Sequence, residues 1–260
     1  MMLNLTETGP ETDLPPVILA HGLFGSGKNL GGLARRLAET RRVISVDMRN
    51  HGDSPQDPDH SYAALAGDLA EVIAARAGHE AGGQADVLGH SMGGKAAMML
   101  ALTRPALVRR LVVLDIAPFA YGHSQSGLID AMEAVDLDGL RLRSEADAQL
   151  ARQIPEPGVR AFLLQSLDLK SQPPRWKFNL RALREQMPQL VGWPESVAGA
   201  FDGPVLVLAG AQSDYCREPQ VAAIRAAFPQ AQIRILAGAG HWLHADRPAE
   251  VAELVANFLG

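Results

Sequence analysis

Short apolar runs alternate with helical patterns along this chain, and few architectures tolerate that order. Val17-Ile18-Leu19-Ala20 is one such run, and the others cover 43–46, 85–88, 111–114, 205–208 and 233–236. Each closes against a glycine, an aspartate or a histidine within two residues. Runs that are apolar throughout, instead of at every second position, read as strands buried on both faces. Helical patterns lie between them over 30–39, 62–77, 92–103 and 248–258. The alternation predicts an α/β fold: a mostly parallel sheet, right-handed crossovers and helices on both sides. Ligands bind such sheets at the C-terminal ends of the strands, so the punctuation after each run marks the expected rim of a site.

The segment 118–203 breaks the rhythm. It reads as short helices over 125–135, 144–152, 159–167 and 179–187, separated by prolines at 155, 157, 173, 174, 188 and 194, with no strand. An all-helical cap (118–203) inserted between two sheet strands is the expectation, with 1–117 and 204–260 forming one core. The length, 260 residues, allows one large core of this kind.

The run ending at Leu88 continues as Gly89-His90-Ser91-Met92-Gly93-Gly94, and the helical pattern begins at Met92. A sharp strand-to-helix turn strains its central residue, so the residues two positions away must be small. Gly89 and Gly93 meet that demand, and Gly94 lets the helix approach the strand. The turn would lift the Ser91 hydroxyl clear of the backbone. It would also make the Met92 N–H a donor to a developing oxyanion. G-x-S-x-G alone is a weak signal; the strand before it and the helix after it make Ser91 the expected nucleophile.

A nucleophilic serine needs an imidazole to take its proton and return it. His241, in Ala239-Gly240-His241-Trp242, follows the last predicted strand and precedes the last helix. That satisfies the chain order serine, acid, histidine. His244, next to Asp246, reads as a capping or surface residue, and His90 as packing behind the turn. The loop His21-Gly22-Leu23-Phe24-Gly25-Ser26 would supply the Leu23 N–H as a second oxyanion donor. It is not a phosphate loop, because Lys28 is followed by Asn29.

Two aspartates end strands in the right part of the chain, Asp115 and Asp214. Both precede His241 and both loops open onto one rim, so order and spacing leave the acid open. Ser213 is a further polar group there, able to touch the imidazole. The polar stretch 47–54 reads as a compact structural loop, its carboxylate and guanidinium satisfying backbone groups. Leu23, Phe24, Met92, Phe119 and Trp242, with apolar residues of the cap, are the expected walls of an acyl pocket.

Composition limits the partners. The chain carries 24 basic and 29 acidic side chains, a net charge of −5. Its overall field does not draw it to nucleic acid or to an anionic membrane. Its one cysteine, Cys216, makes no intramolecular disulfide and no cysteine-based zinc site, and reads as a buried bystander. No secretory pattern opens the sequence and no apolar run approaches membrane-spanning length, so a reducing cytoplasm is the expected setting. The chemistry calls for no metal and no organic cofactor. The expected partner is a small acyl ester or thioester.

Several motifs together carry a resemblance. They are Leu88-Gly-His-Ser-Met-Gly-Gly-Lys95, His21-Gly-Leu-Phe-Gly-Ser26, Arg49-Asn-His-Gly-Asp-Ser-Pro55, Leu114-Asp-Ile-Ala-Pro118, Gly238-Ala-Gly-His-Trp242 and, in the cap, Trp176-Lys-Phe-Asn-Leu180. They resemble a group of small bacterial esterases of the α/β-hydrolase superfamily, itself similar to a mitochondrial abhydrolase-domain hydrolase. The likeness covers nearly the whole chain. It implies an α/β-hydrolase fold with a helical cap and hydrolysis of carboxylic esters, with acyl-CoA thioesters as a further class. It implies Ser91 as nucleophile and His241 as base. In the bacterial members the acid corresponds to Asp115, and a serine corresponding to Ser213 assists the histidine. The chain departs from that pattern at the next position, which leaves Asp214 as the alternative acid. Rival readings on the same fold are C–C bond hydrolysis, elimination, perhydrolysis and a non-catalytic ligand-binding role.

Overall fold

The computed structural model describes residues 1–77, 82–194 and 197–260. Seven strands form one sheet: β1 (Leu5–Thr8), β2 (Val17–Ala20), β3 (Val43–Val46), β4 (Ala85–His90), β5 (Val108–Leu114), β8 (Val205–Gly210) and β9 (Ala231–Leu236). Two more, β6 (Leu167–Asp168) and β7 (Arg175–Trp176), pair only with each other. The sheet order is β1-β3-β2-β4-β5-β8-β9, with β1 antiparallel to β3 and every other pair parallel.

The apolar runs divide by parity, as a strand's two-residue period requires. Ile18, Ala20, Ile44, Val46, Val87, Val113 and Val207 face one core, shared with α2 (Tyr62–Arg76) and α3 (Met92–Thr103). Val17, Leu19, Val43, Leu88, Val112, Leu206 and Leu208 face the other, shared with α1 (Gly31–Leu37) and the C-terminal α10 (Pro248–Leu259). Both faces of β2, β3, β4, β5 and β8 are therefore dry, and the two sets of contacts fix the register of these five strands.

The strand order creates the site. From β2 the chain moves outward to β3, then crosses back so that β4 lies on the other side of β2. This reversal is a switch point, where the loops after two adjacent parallel strands diverge and leave a crevice. Ala20 of β2 is in register with Gly89 of β4, and His90 of β4 with Leu114 of β5. The loop starting at His21, the turn at Ser91 and the residue Asp115 therefore leave the sheet side by side.

Between β5 and β8 lie α4 (Ser126–Glu133), α5 (Arg143–Leu150), α6 (Pro157–Leu164), the β6–β7 ribbon and α7 (Leu180–Val191). The ribbon corrects the expectation of a strandless segment. Pro188 is a second correction, since it lies inside α7 and separates nothing. A proline there removes the i→i−4 hydrogen bond to the Arg184 carbonyl; the carbonyls at the end of α7, which no helix satisfies internally, find donors elsewhere. The Lys95 ammonium donates to the carbonyls of Val191 at 3.2 Å and Gly192 at 2.6 Å, and the Tyr62 hydroxyl to that of Leu190 at 2.7 Å. The remaining helices are α8 (Glu218–Ala227) and the short α9 (Leu243–Asp246). Among the described residues, no helix is long and apolar enough to cross a membrane.

Candidate active site

Ser91 stands between β4 and α3 with φ 51° and ψ −116°. A residue with a Cβ avoids this left-handed region unless its surroundings impose it. Here they do: the Ser91 N–H donates to the Leu114 carbonyl at 3.0 Å, and its own carbonyl accepts the Lys95 N–H at 3.0 Å. The turn closes only because its flanks lack side chains. A Cβ on Gly89 would overlap the Gly93 carbonyl, and one on Gly93 would overlap the carbonyls of Ala20 and His21.

His241 reaches this turn from the loop after β9. Its Nε2 lies 3.0 Å from Ser91 Oγ, and its Nδ1 lies 2.7 Å from Asp115 Oδ2. A carboxylate oxygen can only accept, so Nδ1 carries the proton and Nε2 is left to accept from the serine hydroxyl. Asp115 follows β5 directly, with φ 51°, and is fully buried. Its Oδ1 accepts the Gly210 N–H at 3.0 Å, and its Oδ2 also accepts the Ser213 hydroxyl. Ser213 Oγ in turn accepts the Tyr215 N–H at 3.2 Å. Asp214 points the other way. It is 90 % exposed and paired with Arg217 at 3.1 Å.

Leu23 and Met92 line the same space, and among the described residues neither N–H has a protein acceptor. The carbonyl on the other side of the Gly22–Leu23 peptide is occupied. It accepts His21 Nδ1–H at 2.8 Å and the Gly25 N–H at 3.0 Å. Two free N–H groups beside a serine hydroxyl can bind an oxygen that gains charge.

A sheet with this switch point and this serine turn has relatives. Residues 17–254 match the model of the alpha/beta hydrolase family. The chain belongs to that family. It is 40% identical over 258 residues to a Mus musculus protein named sn-1-specific diacylglycerol lipase ABHD11, covering 96% of this chain and 82% of that one. It is 40% identical over 245 residues to Esterase YbfF of Escherichia coli (strain K12), covering 94% of this chain and 92% of that one. A solved structure titled "Marine microorganism esterase" superposes with a TM-score of 0.92 at 33% identity, covering 99% of each chain.

In this α/β-hydrolase the serine opens on a cavity of about 330 Å³. Leu23, Phe24, Met92 and Trp242 are among its walls, as expected from the sequence. Phe119 is not, and this corrects that expectation. The chain turns at Ala117, where the Phe119 N–H bonds the Ala117 carbonyl at 2.8 Å. The Tyr121 hydroxyl bonds the Ala117 N–H and the Tyr215 carbonyl, so Tyr121 reaches the cavity and Phe119 packs edge-on against it.

Other residues of the site carry little sequence signal. Tyr215 stacks on the His241 ring with centroids 4.2 Å apart, and no motif announces it. His90 does not merely pack behind the turn. Its ring borders the cavity, and its Nε2–H donates to the His241 carbonyl at 2.9 Å. Burial, with His244 and His241 close by, holds it well below the usual histidine range. His244 is only partly exposed. It packs edge-on against His90, and burial lowers it to about 4. Lys95 reaches the cavity from one turn below Ser91, and burial lowers its ammonium to about 7. Cys216 is buried, and burial pushes its thiol up. Among the described residues, no three His, Cys, Asp or Glu side chains gather as a metal-binding group.

Proposed function

We propose that this chain hydrolyses carboxylic esters through an acyl-enzyme. The observation that carries the reading is the hydrogen-bonded line from Ser91 through His241 to buried Asp115, opening on a cavity with mostly apolar walls. In the first half-reaction Ser91 Oγ attacks the acyl carbon and its proton passes to His241 Nε2. The N–H groups of Leu23 and Met92 bind the oxyanion, and the alcohol leaves with the proton from His241. In the second, His241 takes a proton from water as its oxygen attacks the acyl carbon, and then returns that proton to Ser91 Oγ as the acyl–Oγ bond breaks, releasing the carboxylic acid. Asp115 orients the imidazole and stabilises its protonated form. Ser213 assists by holding Asp115.

The names of the relatives support an esterase or lipase type of activity. The segment 118–203 acts as a lid on the core formed by 1–117 and 204–260. The partner is a small acyl ester, and an acyl-CoA thioester can follow the same steps. No cofactor takes part in them. A reducing cytoplasm suits the single buried thiol. A cavity near 330 Å³ lies at the lower end of roughly 300–1,000 Å³ for small-molecule sites, which favours short and medium acyl chains.

The test is a turnover profile over p-nitrophenyl esters and acyl-CoA thioesters of increasing length, with fluorophosphonate labelling. Wild type is expected to label, and to turn over short esters faster than long ones. A Ser91→Ala variant that still labels normally sinks the reading.

A further inference from the structure

Three buried histidines lie outside the Ser91–His241–Asp115 line, beneath the loop that carries Leu23. His21, His51 and His60 are each at most 1% exposed. Their rings stand in a row, with centroids 5.2 Å apart from His21 to His51 and 5.5 Å from His51 to His60. Each has a partner on both nitrogens. For His51, Nδ1 donates to the Arg49 carbonyl at 2.9 Å, which leaves the Nε2 lone pair as an acceptor. That lone pair receives the Phe24 N–H at 3.1 Å.

Phe24 is held at φ 60°, a region that a side chain with a Cβ populates only when something imposes it. The bond from Phe24 N–H to His51 fixes the peptide plane joining Leu23 to Phe24. The preceding plane, which carries the Leu23 N–H, is fixed from the other side by His21 on the Gly22 carbonyl. With both planes set, the Leu23 N–H has one direction. The row also reaches the second donor residue, since His60 Nε2 lies 3.3 Å from Met92 Sδ.

We propose that His51 is a positioning residue for ester hydrolysis: by accepting the Phe24 N–H it aims the Leu23 N–H at the developing oxyanion. Burial and the neighbouring His21 and His60 hold the His51 imidazole well below its usual range, so its acceptor lone pair persists. The assignment rests on the ester-hydrolase reading. Wild-type turnover and Ser91 labelling test that reading separately, before any His51 variant is made.

Two substitutions separate the two hydrogen bonds of the ring. Glutamine places its amide near the Nε2 position and can still accept from Phe24. Asparagine places its amide near Nδ1 and keeps only the bond to Arg49. The readouts are kcat and KM on p-nitrophenyl butyrate. A third readout is inhibition by a trifluoromethyl ketone, whose hemiketal with Ser91 puts an oxyanion in the same place. Circular dichroism and the thermal midpoint establish folding. His51→Gln is expected to keep kcat within about threefold, and His51→Asn to lose about ten- to a hundredfold, because one misaimed oxyanion donor costs up to that of a deleted one. KM should stay nearly constant in both variants, and ketone affinity should fall with kcat. Folded variants that lose kcat equally, or lose it only in step with the thermal midpoint, overturn the proposal. Should His51→Asn not fold, His51→Gln alone decides: kcat within about threefold of wild type supports the role, and a larger loss overturns it.

Discussion

Asp115 and Asp214 have similar sequence surroundings and opposite environments. Each follows a strand and each precedes His241. Asp115 is fully buried and takes hydrogen bonds from His241, Gly210 and Ser213. Asp214 is 90 % exposed, and its partner is a surface arginine. Asparagine at 115 would keep the shape but no longer force the proton onto Nδ1 of His241, so Nε2 would lose its acceptor role in part of the molecules. Asp115→Asn is expected to lower kcat by about 10³–10⁴-fold, the scale of a wrong imidazole tautomer, with little change in folding. Asp214→Asn should stay within about twofold, since an exposed ion pair contributes little. Steady-state kinetics of the two variants, measured together, check the assignment. A large loss in Asp214→Asn with none in Asp115→Asn would reverse it.

At the scale of elements, the turn between β4 and α3 depends on what is missing from Gly93. Alanine inside a helix is ordinarily better than glycine by about 1 kcal/mol. Here the added methyl would overlap the carbonyls of Ala20 and His21 at the end of β2. Overpacking of that kind costs about 1–3 kcal/mol and outweighs the helix propensity. Gly93→Ala is expected to lower the urea midpoint and, by pushing α3 from β2, to slow turnover as well. An unchanged midpoint would mean that the turn relaxes freely. Element legibility followed burial. Five of the six apolar runs are strands because both of their faces are dry, while β9, at the sheet edge, has only Leu236 buried. β1 escapes the sequence because Leu-Thr-Glu-Thr is mostly exposed and shows no apolar run. α8 escapes because only Ile224 among its residues is buried, which leaves no apolar stripe to read. Pro188 misleads because a proline removes only its own bond, here to the Arg184 carbonyl, and α7 runs on just to Val191.

For the whole molecule, the buried histidines set an acid limit. His21, His51, His60 and His90 are all at most 5% exposed, and burial lowers each from 6.5, His60 to about 3. The unfolded chain then binds more protons than the folded one once the pH drops below 6.5. Stability is fully present above that pH and is lost as the pH falls toward the folded values. Each such histidine contributes a slope of about 1.4 kcal/mol per pH unit in that window. Urea unfolding between pH 7 and pH 4 should show stability falling steeply below 6.5. A flat profile would mean that these rings are already charged in the folded protein. The sequence by itself determined the parallel sheet, Ser91 at its turn, His241 near the chain end and the loop at Leu23. Two-faced burial and tight turns make demands on adjacent residues, and adjacent residues are what a sequence displays. The tertiary structure alone decided that His241 meets Asp115, that Tyr121 instead of Phe119 reaches the cavity, that His90 and Tyr215 stand against His241, and that His51 lies under the loop of Leu23. Those outcomes depend on the directions in which separate loops leave one sheet edge, and only packing fixes such directions.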